Sequence, residues 1–184
     1  MTRWVILCAG TVATLLWAGD TKPMEPKLIH HDAFTVVGLA GRTTNAKEQT
    51  PQGVIGRCWA ELTGKNVLAR IPGRADDKIV AVYTDYASDK DGEYTYVLGA
   101  RVNSVKDIPD GMVATTVPAG RYALYTSRSG PVPAVVIETW QRIWATQPAD
   151  AAGRRAYRSD FEIYDERARN PQHSVVDVYV GLRN

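Results

Sequence analysis

Apolar positions recur along this chain at two spacings, and the changes between them mark out its elements. Ala33 to Gly41 (AFTVVGLAG) is a short, nearly continuous apolar run and predicts a strand. Between Gly53 and Leu62 the spacing lengthens: Val54, Ile55, Cys58, Trp59 and Leu62 form the stripe of an amphipathic helix. Pro72-Gly73 marks a turn. Two β-rich runs follow, Lys78 to Tyr86 and Tyr94 to Val102, around a polar loop at Ser88 to Gly92. The first half therefore reads β-α-β-β.

The second half repeats that order. Met112 to Ser127 is β-rich and is interrupted by Pro118-Ala119-Gly120, which predicts a bend or bulge in the strand. Pro133 to Ala145 predicts a helix with Val136, Ile137, Trp140, Ile143 and Trp144 on one face. Asp160 to Glu166 and Ser174 to Leu182 form a second hairpin pair. An offset of 81 positions superposes Ile55 on Val136, Trp59 on Trp140, Leu62 on Ile143, Val82 on Ile163 and Tyr83 on Tyr164. Such a match suggests an internal duplication. The predicted class is α+β, built from duplicated βαββ units.

The same offset lays Glu162 on Ala81. One half alone carries the carboxylate, so the repeated scaffold does not require it. In a strand Glu162, Tyr164 and Glu166 share one face, and Phe161, Ile163 and Asp165 share the other. Phe161 and Ile163 suit the face packed under the helices, which leaves Glu162 and Tyr164 for the opposite face, toward solvent or a cleft. An exposed Glu162 would pair with an arginine such as Arg158 and contribute little. A buried one is costly unless a cation or a hydrogen-bond donor meets it.

The aromatic supply fits a wet cleft: five Trp and nine Tyr against two Phe, and Trp and Tyr join an apolar body to a polar tip. Trp59, Trp140 and Trp144 lie on helix stripes, open to core packing or to a pocket wall. Tyr83, Tyr94, Tyr96, Tyr122 and Tyr164 lie on strands whose faces the pattern leaves undecided. Asn45 and Arg42 sit where the chain enters its first helix, as loop-holding or site residues.

A net charge of +2 over 184 residues argues against a nucleic-acid binder. Arg154, Arg155, Arg158, Arg167 and Arg169 are interspersed with acids and read as solvated surface. His30 and His31 point to opposite strand faces and His173 is isolated, so no metal site is expected. No cofactor motif occurs. At the N-terminus Arg3 precedes an uncharged run, Trp4 to Gly19, which fits a secretory signal over residues 1–18, with an uncleaved anchor as the alternative. Residues 19–27 then form a linker and 28–184 the domain. The expected location is periplasmic or secreted, with no membrane contact beyond the leader. Once a leader is cut, Cys58 is the remaining cysteine, read as a small buried hydrophobe.

Four segments carry a resemblance. Val37 to Asn45 (VGLAGRTTN), Ala81 to Tyr86 with Gly92-Glu93-Tyr94, Pro118 to Tyr122 (PAGRY), and Asp160 to Tyr164 (DFEIY) are similar, in order and spacing, to the motifs of GyrI-like proteins. That family includes effector-binding domains of AraC- and MerR-type activators and integron-cassette effector-binding proteins. The resemblance covers about residues 28–183. It implies two βαββ units related by a pseudo-twofold, an antiparallel sheet with helices on one face, and a ligand cleft between the halves. It also implies an acidic residue in the cleft, which maps onto Glu162.

Together these readings predict an exported protein that binds hydrophobic, cationic aromatic small molecules. Glu162 would neutralise the ligand, with Trp59, Trp140, Trp144, Tyr83, Tyr96, Tyr122, Tyr164 and Asn45 around it. Two alternatives stand beside it. One is a hydrolase of strained or electrophilic molecules, with Glu162 as general base and Tyr83 or Tyr164 as its polar partner. The other is a protein-interaction module with an envelope partner.

Overall fold

A computed structural model describes residues 25–146 and 154–183; the expected leader at 1–18 lies outside the described residues. Eight strands form one antiparallel sheet: β1 (Lys27–His31), β2 (Phe34–Thr43), β3 (Ile79–Thr84), β4 (Tyr94–Val102), β5 (Val113–Val117), β6 (Gly120–Thr126), β7 (Ser159–Tyr164) and β8 (Asp177–Gly181). Their order across the sheet is β1-β6-β8-β7-β3-β4-β2-β5. Four α-helices, α1 (Asn45–Glu48), α2 (Ile55–Gly64), α3 (Val67–Arg70) and α4 (Ala134–Thr146), and a 3-10 turn at Glu166–Ala168 complete the described chain.

The Pro118 break has a larger effect than a bend. Proline has no N–H to give to a ladder, and here it separates β5 from β6. The two strands leave for different places: β5 pairs with β2 at one edge, and β6 pairs between β1 and β8 near the other. At the centre β3 and β7 lie antiparallel, with Ala81 opposite Glu162 and Tyr83 opposite Asp160. Between β2 and β4, Gly38 faces Gly99. A Cβ on Gly99 would lie 1.9 Å from the Val37 carbonyl oxygen, so this approach admits only glycine.

Strand alternation divides the apolar side chains between two faces. One cluster joins Leu39, Ala81, Tyr83, Leu98 and Val178 of the sheet to Cys58 and Leu62 of α2 and to Val136, Trp140 and Ile143 of α4. The other gathers Phe34, Val36, Val80, Val82, Val97, Tyr122, Phe161 and Ile163. This corrects the expected orientation of β7: the helices cover the face of Glu162 and Tyr164, and Phe161 and Ile163 point away from them. Both faces of β7 are buried along its whole length, so apolar residues could not tell which face met the helices.

The start of α2 is held from outside the helix. Val54, its N-cap residue, has no side-chain acceptor to offer. Glu48 supplies one instead: Oε1 accepts from the Val54 N–H at 2.7 Å and Oε2 from the Ile55 N–H at 3.1 Å. A carboxylate at this end also meets the positive pole of the helix. It fixes the first turn, and with it Ile55 and Trp59, over the sheet.

Candidate functional site

Helices α2 and α4 do not close on the central strands along their whole length; between them lies a cavity of about 700 Å³. Tyr83 of β3 with Glu162 and Tyr164 of β7 line it from the sheet. Ile55, Gly56 and Trp59 line it from α2, and Val136, Trp140 and Trp144 from α4. Tyr86, Tyr94 and Arg155 extend it to one side, and Asn45, Lys90 and Gln49 also contribute. Both halves of the sequence contribute walls. The volume falls in the range of small-molecule sites.

Glu162 is 1% exposed. Its Oε1 accepts from the Tyr83 hydroxyl at 2.7 Å and from Trp140 Nε1, and its Oε2 accepts from the Tyr164 hydroxyl at 2.7 Å. An indole N–H can only donate, so Oε1 must be an acceptor. Burial pushes the Glu162 carboxyl above the usual carboxylate range, and the hydrogen bonds from Trp140, Tyr164 and Tyr83 pull against that rise. Burial, then the adjacent charge, holds Tyr83 and Tyr164 well above the ordinary phenol value, so both remain donors. Three neutral donors thus hold the Glu162 carboxyl group beside an apolar, ring-lined space. Trp59 meets the Tyr164 ring edge-on at 4.8 Å between centroids, and Tyr83 contacts Trp140 at 5.2 Å.

The other expected site residues divide. Trp59, Trp140, Trp144, Tyr83, Tyr164 and Asn45 line the cavity. Asn45 is fixed there, donating to the Lys90 carbonyl at 2.7 Å and accepting from the Tyr94 hydroxyl at 3.0 Å. Tyr96 is fully buried behind Tyr83, with ring centroids 5.2 Å apart, and does not line the space. Tyr122 lies in the cluster on the far face, its hydroxyl donating to the Pro118 carbonyl at 2.8 Å. Tyr122 and Tyr96 are therefore corrected to structural positions. Arg42 donates to the Asp85 carbonyl and to Thr95, on the outside of the hairpin.

Arg155 requires the reverse correction. Read as solvated surface, it is a buried cation on the cavity wall, its side chain 7% exposed. Its Nη2 donates to Asp160 Oδ2 and, at 3.2 Å, to the Tyr86 hydroxyl. Tyr86 also donates to Asp160, at 2.6 Å, and Oδ1 of Asp160 accepts from the Gly181 N–H at 2.8 Å. The arginine cluster around position 155 carried no periodicity that would single out this one. A signal did exist in Asp160, which shares a strand face with Glu162 and Tyr164. Among the described residues, no group of three or more His, Cys, Asp or Glu converges as metal ligands would.

Comparison with known proteins bears on this geometry. Residues 27–182 match the model of a family described as integron-associated effector binding protein, Cass2. The chain is 34% identical over 157 residues to the "Putative transcriptional regulator protein YobU" of Bacillus subtilis, covering 85% of this chain and 96% of that one. The integron cassette protein VCH_CASS2 of Vibrio cholerae superposes with a TM-score of 0.70 at 27% identity, over 86% of this chain and 96% of its own. SAV2435, whose structure was solved bound to tetraphenylphosphonium, has the same fold at a TM-score of 0.67 and 18% identity, over 88% of this chain and 95% of that one.

Proposed function

The chain belongs to the Cass2 family of integron-associated effector binding proteins, and from that membership we propose that it binds hydrophobic, aromatic cations outside the cytoplasm. The observation that carries this reading is the state of Glu162: a carboxylate 1% exposed, facing an aromatic cavity and held by donors that bring no positive charge. Such a group is costly to ionise alone. A ligand that supplies the cation, with rings that pack on Trp59, Trp140 and Trp144, offsets that cost. SAV2435 supports the choice of ligand class, since tetraphenylphosphonium is a lipophilic aryl cation. The uncharged run from Trp4 to Gly19 supports the location.

A duplicated origin for the two halves belongs to the same proposal. It is supported by the strand order, which runs β6-β8-β7 on one side of the centre and β3-β4-β2 on the other.

The hydrolytic alternative is less well supported. A general base needs a lone pair directed at water or substrate, and three of the carboxylate's roughly four acceptor sites are already taken, two on Oε1 and one on Oε2. That arrangement suits a fixed counter-charge.

Calorimetric titration with tetraphenylphosphonium tests the reading. Wild type is expected to bind at micromolar strength, roughly −8 kcal/mol. Glu162→Gln is expected to weaken binding by about thirtyfold, on the order of 2 kcal/mol. Equal affinity in the two proteins would remove Glu162 from this role.

A further inference from the structure

We infer that the cavity holds a second polar subsite at Arg155, which recognises an anionic or strongly hydrogen-bond-accepting group on the same ligand that Glu162 neutralises. The inference rests on the binding role proposed above and narrows its ligand class: aromatic cations that also carry a carboxylate or an equivalent acceptor.

The guanidinium is placed for this. It lines the cavity while its side chain is 93% buried, so a ligand in the cavity is the solvent it meets. Its ties to protein run through Nη2, to Asp160 and Tyr86. The Nε–H has no acceptor among the described residues and is itself closed off from the cavity; with Nη2 donating to Asp160 and Tyr86, Nη1 is the remaining donor for a ligand oxygen. Asp160 and Tyr86 hold the fork in place, and the faces of three rings frame it: its central carbon lies 4.5 Å from the Tyr157 centroid, 5.6 Å from Tyr86 and 5.4 Å from Trp140.

The strand sets the spacing between Glu162 and the residue that anchors Arg155. Asp160, which anchors Arg155, and Glu162 lie two residues apart on one face of β7, about 7 Å along the strand. Trp140 lies between the poles: its Nε1 donates to Glu162 while its ring packs against the guanidinium. A flat ligand stacked on this indole would carry its positive centre toward Glu162 and its acceptor toward Arg155. Glu48 and Lys90, which also line the cavity, are opposite in charge, and Arg155 is paired with Asp160, so Glu162 is the acid left without a cationic partner and the matching ligand carries a permanent cation with the acceptor one ring away.

The test compares (4-carboxyphenyl)triphenylphosphonium with its methyl ester, by calorimetry on the whole protein at neutral pH, with tetraphenylphosphonium as reference. The two compounds share the cation and the rings and differ in the anionic group. A charge-assisted hydrogen bond at Arg155 predicts that the acid binds about tenfold more tightly than the ester. That ratio is expected to fall to near one in Arg155→Lys, which keeps the charge beside Asp160. It is expected to fall likewise in the double variant Arg155→Met/Asp160→Asn, which leaves no unpaired buried charge. An acid that binds no better than the ester in wild type overturns the subsite. A preference that survives both variants overturns the assignment to Arg155. If tetraphenylphosphonium binds and depends on Glu162 while acid and ester are equal, this inference alone fails. If none of the three binds, both readings fail.

Discussion

Ala81 stands directly across the central ladder from Glu162, and the 81-residue offset read from the sequence makes the two residues counterparts. A methyl group is therefore what faces the buried carboxylate from the neighbouring strand. Ala81 is fully buried. Opposed residues on one face lie about 5 Å apart, and like charges there repel. If the halves descend from one unit, both could not have kept a carboxylate at this position. Ala81→Glu is expected to destabilise the protein by about 3 kcal/mol in urea unfolding, the scale of an unpaired buried charge. A stability equal to wild type would mean that the cavity solvates this pair.

Glu162→Gln and Glu162→Ala separate the ligand role from the fold. The glutamine amide oxygen can replace Oε1 for Trp140 and Tyr83, and its NH2 can donate to the Tyr164 hydroxyl, which can accept. Removing a buried charge while keeping its hydrogen bonds is expected to leave thermal stability within about 1 kcal/mol of wild type, or to raise it. The alanine variant strands the donors of Tyr83, Trp140 and Tyr164. It is expected to lose about 2–3 kcal/mol in urea unfolding. Equal stability of the two variants would show that these donors find water instead.

Much of this site was legible in the sequence because the determining signals were local. The helix stripes placed Trp59, Trp140 and Trp144, and the mismatch at Ala81 singled out Glu162. What could not be read was which sheet face met the helices. Phe161 and Ile163 are apolar, yet they lie on the far side, since both faces of β7 are buried. Arg155 was hidden for a related reason. Its burial depends on Asp160 and Tyr86, the latter 69 positions away, and on a cavity wall that no local pattern encodes. Tyr122 and Tyr96 were misplaced because strand tyrosines on either face look alike until the register is known.

Proton linkage gives a third prediction. Burial raises the Glu162 pKa above its ordinary value against the pull of its donors, so between the two values the folded state binds the proton that the unfolded state releases. Stability from this group is therefore complete below the ordinary carboxylate value and is lost as pH rises through the folded one, by up to ~1.4 kcal/mol per pH unit. A permanent cation such as tetraphenylphosphonium should show the opposite trend, binding more tightly as pH rises through the same range and releasing a proton as it does. Glu162→Gln should flatten both profiles. Calorimetry in two buffers of different ionisation heat measures the released proton; no release across that range would show that Glu162 is already ionised in the free protein.

The last prediction concerns the ladder that carries the β3 side of the cavity. Gly38 and Gly99 face each other between β2 and β4, and a Cβ on Gly99 would meet the Val37 carbonyl oxygen at 1.9 Å and the Gly38 Cα at 2.6 Å. Both are backbone atoms, so no side chain can swing aside; the strands must part. β4 is also the partner of β3, with Tyr96 opposite Tyr83, so the displacement would reach the Glu162 donors. Gly99→Ala is expected to cost about 3 kcal/mol, the upper part of the range for overpacking, and to weaken tetraphenylphosphonium binding in parallel. Gly64→Ala, at the end of α2 with open space around its Cβ, is the matched control. It is expected to gain about 0.5 kcal/mol from the lower chain entropy of the unfolded state and to leave binding unchanged. Urea unfolding of the two variants side by side measures the contrast, and comparable stabilities would mean that β2 and β4 can separate without loss.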